Sequence, residues 1–329
     1  MNIKNIHGLQ ILDSRGNPTV KAYVELENGI VGSASVPSGA STGSHEALEL
    51  RDGGNEYGGK GVLTAVDHVN TTIANALRGM SIENLEKLDT TMLLLDSTPQ
   101  KSTLGANAIL AVSMALARTL SLFKNQPLWK TLHEQYFSSY RAGFPRLLVN
   151  VINGGAHANW TTDFQEYMFI PHSRNPKEAV RQSSEIFHSL RGILIEKGKS
   201  VGVGDEGGFA PTLDNNSEGF ALISEAIQKA GYSRENTDLG TDIAASEFYK
   251  DGVYVLKRDG KTLSSQELMN FYAELDAKHH LLLIEDPFFE DDMESFVELT
   301  RTLGTSHVIV GDDFYVTSAE RIKKGIEAN

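Results

Sequence analysis

The sequence predicts an α/β protein in two parts, a small N-terminal α+β domain followed by a β/α barrel. Three observations support that prediction. Strand-like alternation fills the first 36 residues, uninterrupted helical periodicity follows it, and from about Arg146 short apolar runs alternate with amphipathic helical segments. At 329 residues the chain has room for two hydrophobic cores of roughly 150 residues each.

Thr19-Val20-Lys21-Ala22-Tyr23-Val24-Glu25-Leu26 alternates apolar and polar side chains, and Asn28-Gly29 is a hairpin signal before Ile30-Val31. An antiparallel sheet is therefore expected to open the protein. Helical periodicity then occupies residues 62–77, 82–95 and the Ala/Leu-rich stretch 104–122, none broken by proline. A linker near 136–145 divides the chain into domains 1–136 and 137–329. In the second part, runs at 147–151, 164–170, 281–284 and 308–310 read as strands, and 176–196, 216–231 and 290–303 read as helices. That order predicts βα units around a parallel sheet, with a barrel as the favoured form.

Composition excludes several functions. With 43 acidic against 30 basic side chains the net charge is −13, which repels polyphosphate backbones and anionic lipid surfaces, so nucleic acid is not an expected partner. The absence of cysteine removes disulfides, thiolate metal sites and cysteine nucleophiles, leaving oxygen and histidine as metal donors. The first ten residues lack the apolar core of a signal peptide and no later run reads as a membrane span, so a cytoplasmic protein without membrane insertion is expected.

Three apolar runs end in acidic residues. The stretch 238–241 leads to Asp242, 281–284 leads to Glu285-Asp286, and 308–311 leads to Asp312-Asp313. On successive barrel strands, Asp242, Glu285 and Asp312 would lie at strand C-termini, where barrel active sites are built. Their separations are 43 and 27 residues, the second close to one βα unit. Three carboxylates without sulfur form a hard-cation set suited to Mg²⁺. Capping of the following helix would account for any one of them, but a Glu-Asp pair and an Asp-Asp pair do not need capping twice.

Other clusters stand nearby in the sequence. Gly202-Val203-Gly204-Asp205-Glu206-Gly207-Gly208 surrounds two carboxylates with glycine, which by itself can simply turn the chain. Asn153-Gly154-Gly155-Ala156-His157 follows a strand-like run and is followed by Gln165-Glu166; a lone histidine there serves equally as a structural hydrogen-bonding group. The loop Pro37-Ser38-Gly39-Ala40-Ser41-Thr42-Gly43 is small, polar and flexible, fit either to close over a phosphate or to sit idle as a hairpin connection.

Together these segments resemble the enolase family. The matching stretches are Asp13-Ser14-Arg15-Gly16-Asn17-Pro18-Thr19-Val20, the loop 38–43 with His45-Glu46, Leu104-Gly105-Ala106-Asn107-Ala108-Ile109-Leu110, residues 153–157, Gln165-Glu166, 204–208, 242–248, 284–286 and 311–313, in family order along the whole chain. The resemblance implies an N-terminal α+β domain and an eight-stranded barrel, incomplete here, whose first connection is antiparallel. It implies Mg²⁺-dependent, reversible dehydration of 2-phosphoglycerate to phosphoenolpyruvate. By position, Asp242, Glu285 and Asp312 would hold one Mg²⁺, and Ser41 would join a second that arrives with substrate. Glu206 would be the general acid with Glu166 beside it, and His157, Gln165, Glu166, Glu285 and Asp312 would contact substrate. Protonating a departing hydroxide suits a carboxyl raised by neighbours such as Asp205 and Glu166. A homodimer or larger homo-oligomer, with its contact on the N-terminal domain, is implied as well.

The resemblance has gaps. A complete barrel takes ~250 residues. From Arg146 onward there are 184, so about two βα units are expected to be absent. Lys323 and Lys324 lie in the final helical stretch and do not match the family's catalytic lysine, so these 329 residues are expected to be inactive alone. Asn159-Trp160-Thr161 departs from the family's more polar loop. Two alternatives are a sugar-acid dehydratase of the same barrel superfamily, against which residues 38–43 and 204–208 argue, and a non-catalytic binding or surface protein.

Overall fold

The computed structural model describes residues 1–39 and 43–328. They divide into two compact units, one comprising residues 1–39 with 45–143, the other residues 43–44 with 144–328.

In the first unit the strands β1 (Ile3–Leu12), β2 (Pro18–Leu26) and β3 (Val31–Ser35) form an antiparallel sheet in sequence order. Helical segments α1 (Leu63–His68) and α2 (Ala74–Leu77) flank a π-turn, and α3 (Leu85–Leu95), α4 (Ala106–Phe123) and α5 (Leu128–Tyr136) complete the unit. Period-2 alternation sends Val20, Ala22, Val24 and Leu26 inward against Ala108, Ala111, Val112 and Ala115 of α4. At roughly 1.5–3 kcal/mol per buried Val or Leu side chain, this layer supplies much of the unit's stability. The sheet and α4 approach so closely at Gly32 that a Cβ there would lie 2.7 Å from the Thr119 backbone nitrogen. By length and composition α4 could cross a membrane, which corrects the reading that no run is long enough. With 61% of it buried, however, it is the core helix of this unit.

The second unit contains β4 (Val149–Asn153), β5 (Glu166–Pro171), α6 (Pro176–Glu196), α7 (Asn216–Lys229), β6 (Thr237–Asp242), the short antiparallel strands β7 (Tyr249–Lys250), β8 (Val253–Leu256) and β9 (Lys261–Leu263), α8 (Ser265–His279), β10 (Leu281–Glu285), α9 (Met293–Leu303), β11 (Val308–Val310) and α10 (Ala319–Ala328). Among the described residues the main sheet has five strands in the order β11-β10-β6-β5-β4 and is not closed. Its core gathers Tyr167, Phe169, Phe220, Leu239, Ile284 and Phe288. Helix α6 starts where Asn175 accepts the Lys177 N–H and Pro176 takes the first turn, and it buries Ala179, Gln182, Ile186, Leu190 and Ile193 on one stripe.

A wholly parallel sheet is not what forms. The β4–β5 and β5–β6 pairs are antiparallel, and only β6–β10 and β10–β11 are parallel. Between β4 and β5 there is only a short 3₁₀ turn, Gly155–Ala158, so no crossover helix returns the chain to the start of the sheet. The helix pair α6–α7 then restores the direction of β6. Helix α8 has no counterpart among the elements expected from the sequence, although Ser264 and Glu267 make a complete capping box at its start.

Candidate active site

Strand register decides which residues meet. Asn153 pairs with Glu166, Glu166 with Asp242, Asp242 with Glu285, and Glu285 with Val310. Because β5 runs opposite to its neighbours, its first residue lies on the same sheet edge as the last residues of β4, β6 and β10. Three carboxylates thus stand side by side on adjacent strands, roughly 5 Å apart by strand spacing. Asp312 follows two residues beyond β11, in the loop leaving that same edge.

Few donors compensate them. Asp242 is buried; its Oδ1 accepts the Ala244 N–H at 2.9 Å and its Oδ2 a bond from Gln165 Nε2 at 3.2 Å. Burial, with Glu285, Asp286 and Glu166 around it, holds its carboxyl well above the usual aspartate range. Glu285 is pushed up to about 8 by burial and by Asp286, Asp312 and Glu166. Glu166 is pushed up to about 7 by burial, Glu206 and Asp312. Asp313 rises to about 7 through burial, Asp286 and Asp312. Without a cation, this edge retains protons near neutral pH.

Local structure explains the placement. Asp286 accepts N–H bonds from Asp312 (3.1 Å), Asp313 (2.8 Å) and Phe314 (3.3 Å), which ties the loop after β11 to the end of β10. The glycine cluster docks on β4: Phe209 pairs with Ile152, Gly208 N–H donates to Asn153 Oδ1 at 2.8 Å, and Asp205 N–H donates to the His157 carbonyl at 3.2 Å. A Cβ at Gly208 would come within 2.8 Å of Asn153 Oδ1 and 2.9 Å of the Val151 backbone. Glycine there is a packing requirement, and it brings Glu206 within electrostatic reach of Glu166. His157 is buried with Nδ1 3.7 Å from Glu166 Oε1. Ser41 lies outside the described residues. Ser44, a little further on, donates its N–H to Glu290 Oε2 at 2.9 Å, and Glu290 is among the groups that raise Asp313.

Most of the sequence-picked residues therefore sit on or beside one edge: Glu166, Asp242 and Glu285 in the row, Gln165 on Asp242, His157 beside Glu166, and Glu206 and Asp312 acting on Glu166. Among the described residues, no group of three His, Asp or Glu side chains is already converged on a single point as a ready ion cage. Asn153, Asp286 and Asp313, which stand in the quoted motifs but were given no role from the sequence, join the site as well. Asn153 is fully buried, and its Nδ2 has no hydrogen-bond partner among the described residues. Its place next to a Gly-Gly pair at a strand end was the available signal.

Comparison with known proteins settles the family. The profile for "Enolase, N-terminal domain" matches residues 3–132 and that for "Enolase, C-terminal TIM barrel domain" matches residues 142–329. The chain belongs to the enolase family. An enolase from a Nitratiruptor species is 49% identical over 327 residues, covering 99% of this chain and 77% of that protein. Membership brings an enolase-type lyase function and the family's general dependence on Mg²⁺. It also accounts for the antiparallel start of the barrel sheet, which the enolase resemblance implied and the apolar runs alone did not reveal.

Proposed function

We propose that this site performs the reversible, Mg²⁺-dependent dehydration of 2-phosphoglycerate to phosphoenolpyruvate. The observation that supports this most is the row Glu166, Asp242, Glu285 across adjacent strands, with Asp312 on the loop beside it. The donor set fits a hard divalent cation: it is all oxygen, Asp242 and Glu285 are poorly supplied with hydrogen-bond donors, and without a counter-charge the Glu285 carboxyl is pushed up to about 8 and that of Asp242 well above the usual range. Asp242, Glu285 and Asp312 would hold one Mg²⁺, and Ser41 would join the second, arriving with substrate. When bound, such cations offset the second negative charge that builds on a carboxylate as its neighbouring carbon loses a proton.

The chain's own groups do the rest. His157, Gln165, Glu285 and Asp312 contact and orient the substrate. Glu206 delivers a proton to the departing hydroxyl, and Glu166 beside it, with its carboxyl near 7, holds a proton of its own near neutral pH. Removing one such group costs roughly 3–4 kcal/mol of transition-state stabilisation in well-studied sites, so Glu206→Gln is severely impaired wherever turnover is measured.

We further propose that these 329 residues alone bind ligand without turning it over, and that the working form is at least a homodimer. Lys323 and Lys324 pair with Glu327 and Glu320 on the exposed face of α10, which leaves neither as a proton acceptor at the carboxylate edge. Calorimetry with 2-phosphoglycerate tests the binding reading: Mg²⁺-dependent binding that Glu285→Gln abolishes is expected, and metal-independent binding would overturn it. Phosphoenolpyruvate formed by the purified 329-residue chain would overturn the claim of inactivity.

A further inference from the structure

A cavity lies wholly within the N-terminal unit. Its volume is about 370 Å³, within the small-molecule range of roughly 300–1,000 Å³. Helical spacing builds it from three stripes. Leu85 and Asp89 lie one turn apart on α3, Met114 and Arg118 one turn apart on α4, and Leu128, Leu132 and Tyr136 on successive turns of α5. The walls are largely apolar, and the polar lining consists of Asp89 with Ser113 and Tyr136 bonded to it, and Arg118.

Those polar groups are poorly matched within the protein. Asp89 is half-buried, and its partners are two neutral hydroxyls, Ser113 and Tyr136, the latter donating at 3.4 Å. Burial holds its carboxyl above the usual range, and the same neighbourhood pushes the Tyr136 hydroxyl up to about 12. Arg118 lines the same cavity, is exposed, and has no ion pair or side-chain hydrogen bond among the described residues. Asp89 and Arg118 do not neutralise one another.

We propose that this cavity binds a small zwitterion with an apolar side chain, an apolar α-amino acid, whose ammonium meets Asp89, whose carboxylate meets Arg118 and whose side chain enters the slot between Leu85, Met114 and Leu132. The ammonium supplies the cation that Asp89 lacks, and a carboxylate accepts the planar fork of an arginine in two bonds. The enolase reading plays no part in this inference.

The test is a heteronuclear NMR or calorimetric titration of the full chain with L-leucine, L-leucinamide and 4-methylpentanoate. Saturable L-leucine binding is expected, weakened about tenfold or more by Asp89→Asn and by Arg118→Gln. The amide should bind more weakly and be insensitive to Arg118→Gln, and the acid should be insensitive to Asp89→Asn. Asp89→Asn is near-isosteric and Arg118→Gln leaves a polar side chain at an exposed position, and a thermal melt of each confirms folding. No binding of L-leucine at ~10 mM, or equal binding by wild type and either folded variant, would overturn the proposal.

Discussion

Asp96 in the first unit and Asp242 in the second are both buried aspartates, and their surroundings push them in opposite directions. Burial alone would raise Asp96, but the N–H groups of Thr98 (3.1 Å), Thr103 (2.9 Å) and Leu104 (2.8 Å) and the Thr98 hydroxyl (2.5 Å) outweigh it, and its carboxyl falls below the ordinary value. Asp13 and Asp52 behave alike, each accepting two backbone N–H groups at the start or turn of an element. Asp242 has one backbone donor and three acidic neighbours. Where a carboxylate shapes the chain, the fold surrounds it with donors. At Asp242 and Glu285 on the second sheet's edge donors are few, and an external cation is what would balance the charge.

The sharpest way to break this contrast is to delete both kinds of aspartate. Asp96→Ala strands three backbone N–H groups that the carboxylate satisfied and should cost about 3 kcal/mol or more, read as a lower midpoint in denaturant. Gly208→Ala should cost about 1–3 kcal/mol, because the new methyl meets Asn153 and the Val151 backbone with little room to shift. The same change should weaken substrate binding by displacing Glu206. Asp242→Asn should do the opposite to stability: metal-free protein at pH 8 melts at the same temperature or slightly higher, because a repelled charge is gone. It should also lose any stabilisation by Mg²⁺. A large drop in the metal-free melting temperature of Asp242→Asn would place it with Asp96 as a structural acid and dissolve the contrast.

How much of this was legible in the sequence depended on what had to be known. An apolar run ending in an acid was enough to find Asp242 and Glu285, because a strand buried on both faces ends where the chain meets polar surroundings. The reversal of β5 was not visible in the runs, since alternation says nothing about strand direction; yet that reversal is what puts Glu166 in the row. The double acids were read as more than caps of the following helix, and Asp292 is what caps that helix; Asp286 instead holds the backbone of Asp312, Asp313 and Phe314. The carboxyl of Glu166 is pushed to about 7 by burial, which spacing could not supply, and by Glu206.

The electrostatics of the edge also fix how stability should vary with pH. Glu166 and Glu285 titrate near 4.5 when unfolded and near 7 and 8 when folded, so between these values the folded state binds more protons. Their contribution therefore weakens as pH rises from about 4.5 to 8, and Glu285→Gln should flatten the upper part of that fall.

The most direct test of the central claim is a thermal melt of the metal-free protein at pH 5 and pH 8, each with and without Mg²⁺. The account predicts a lower melting temperature at pH 8 than at pH 5 without metal, and a rise on adding Mg²⁺ that is large at pH 8 and small at pH 5, where protons already occupy the edge. A melting temperature at pH 8 indifferent to Mg²⁺ would contradict it.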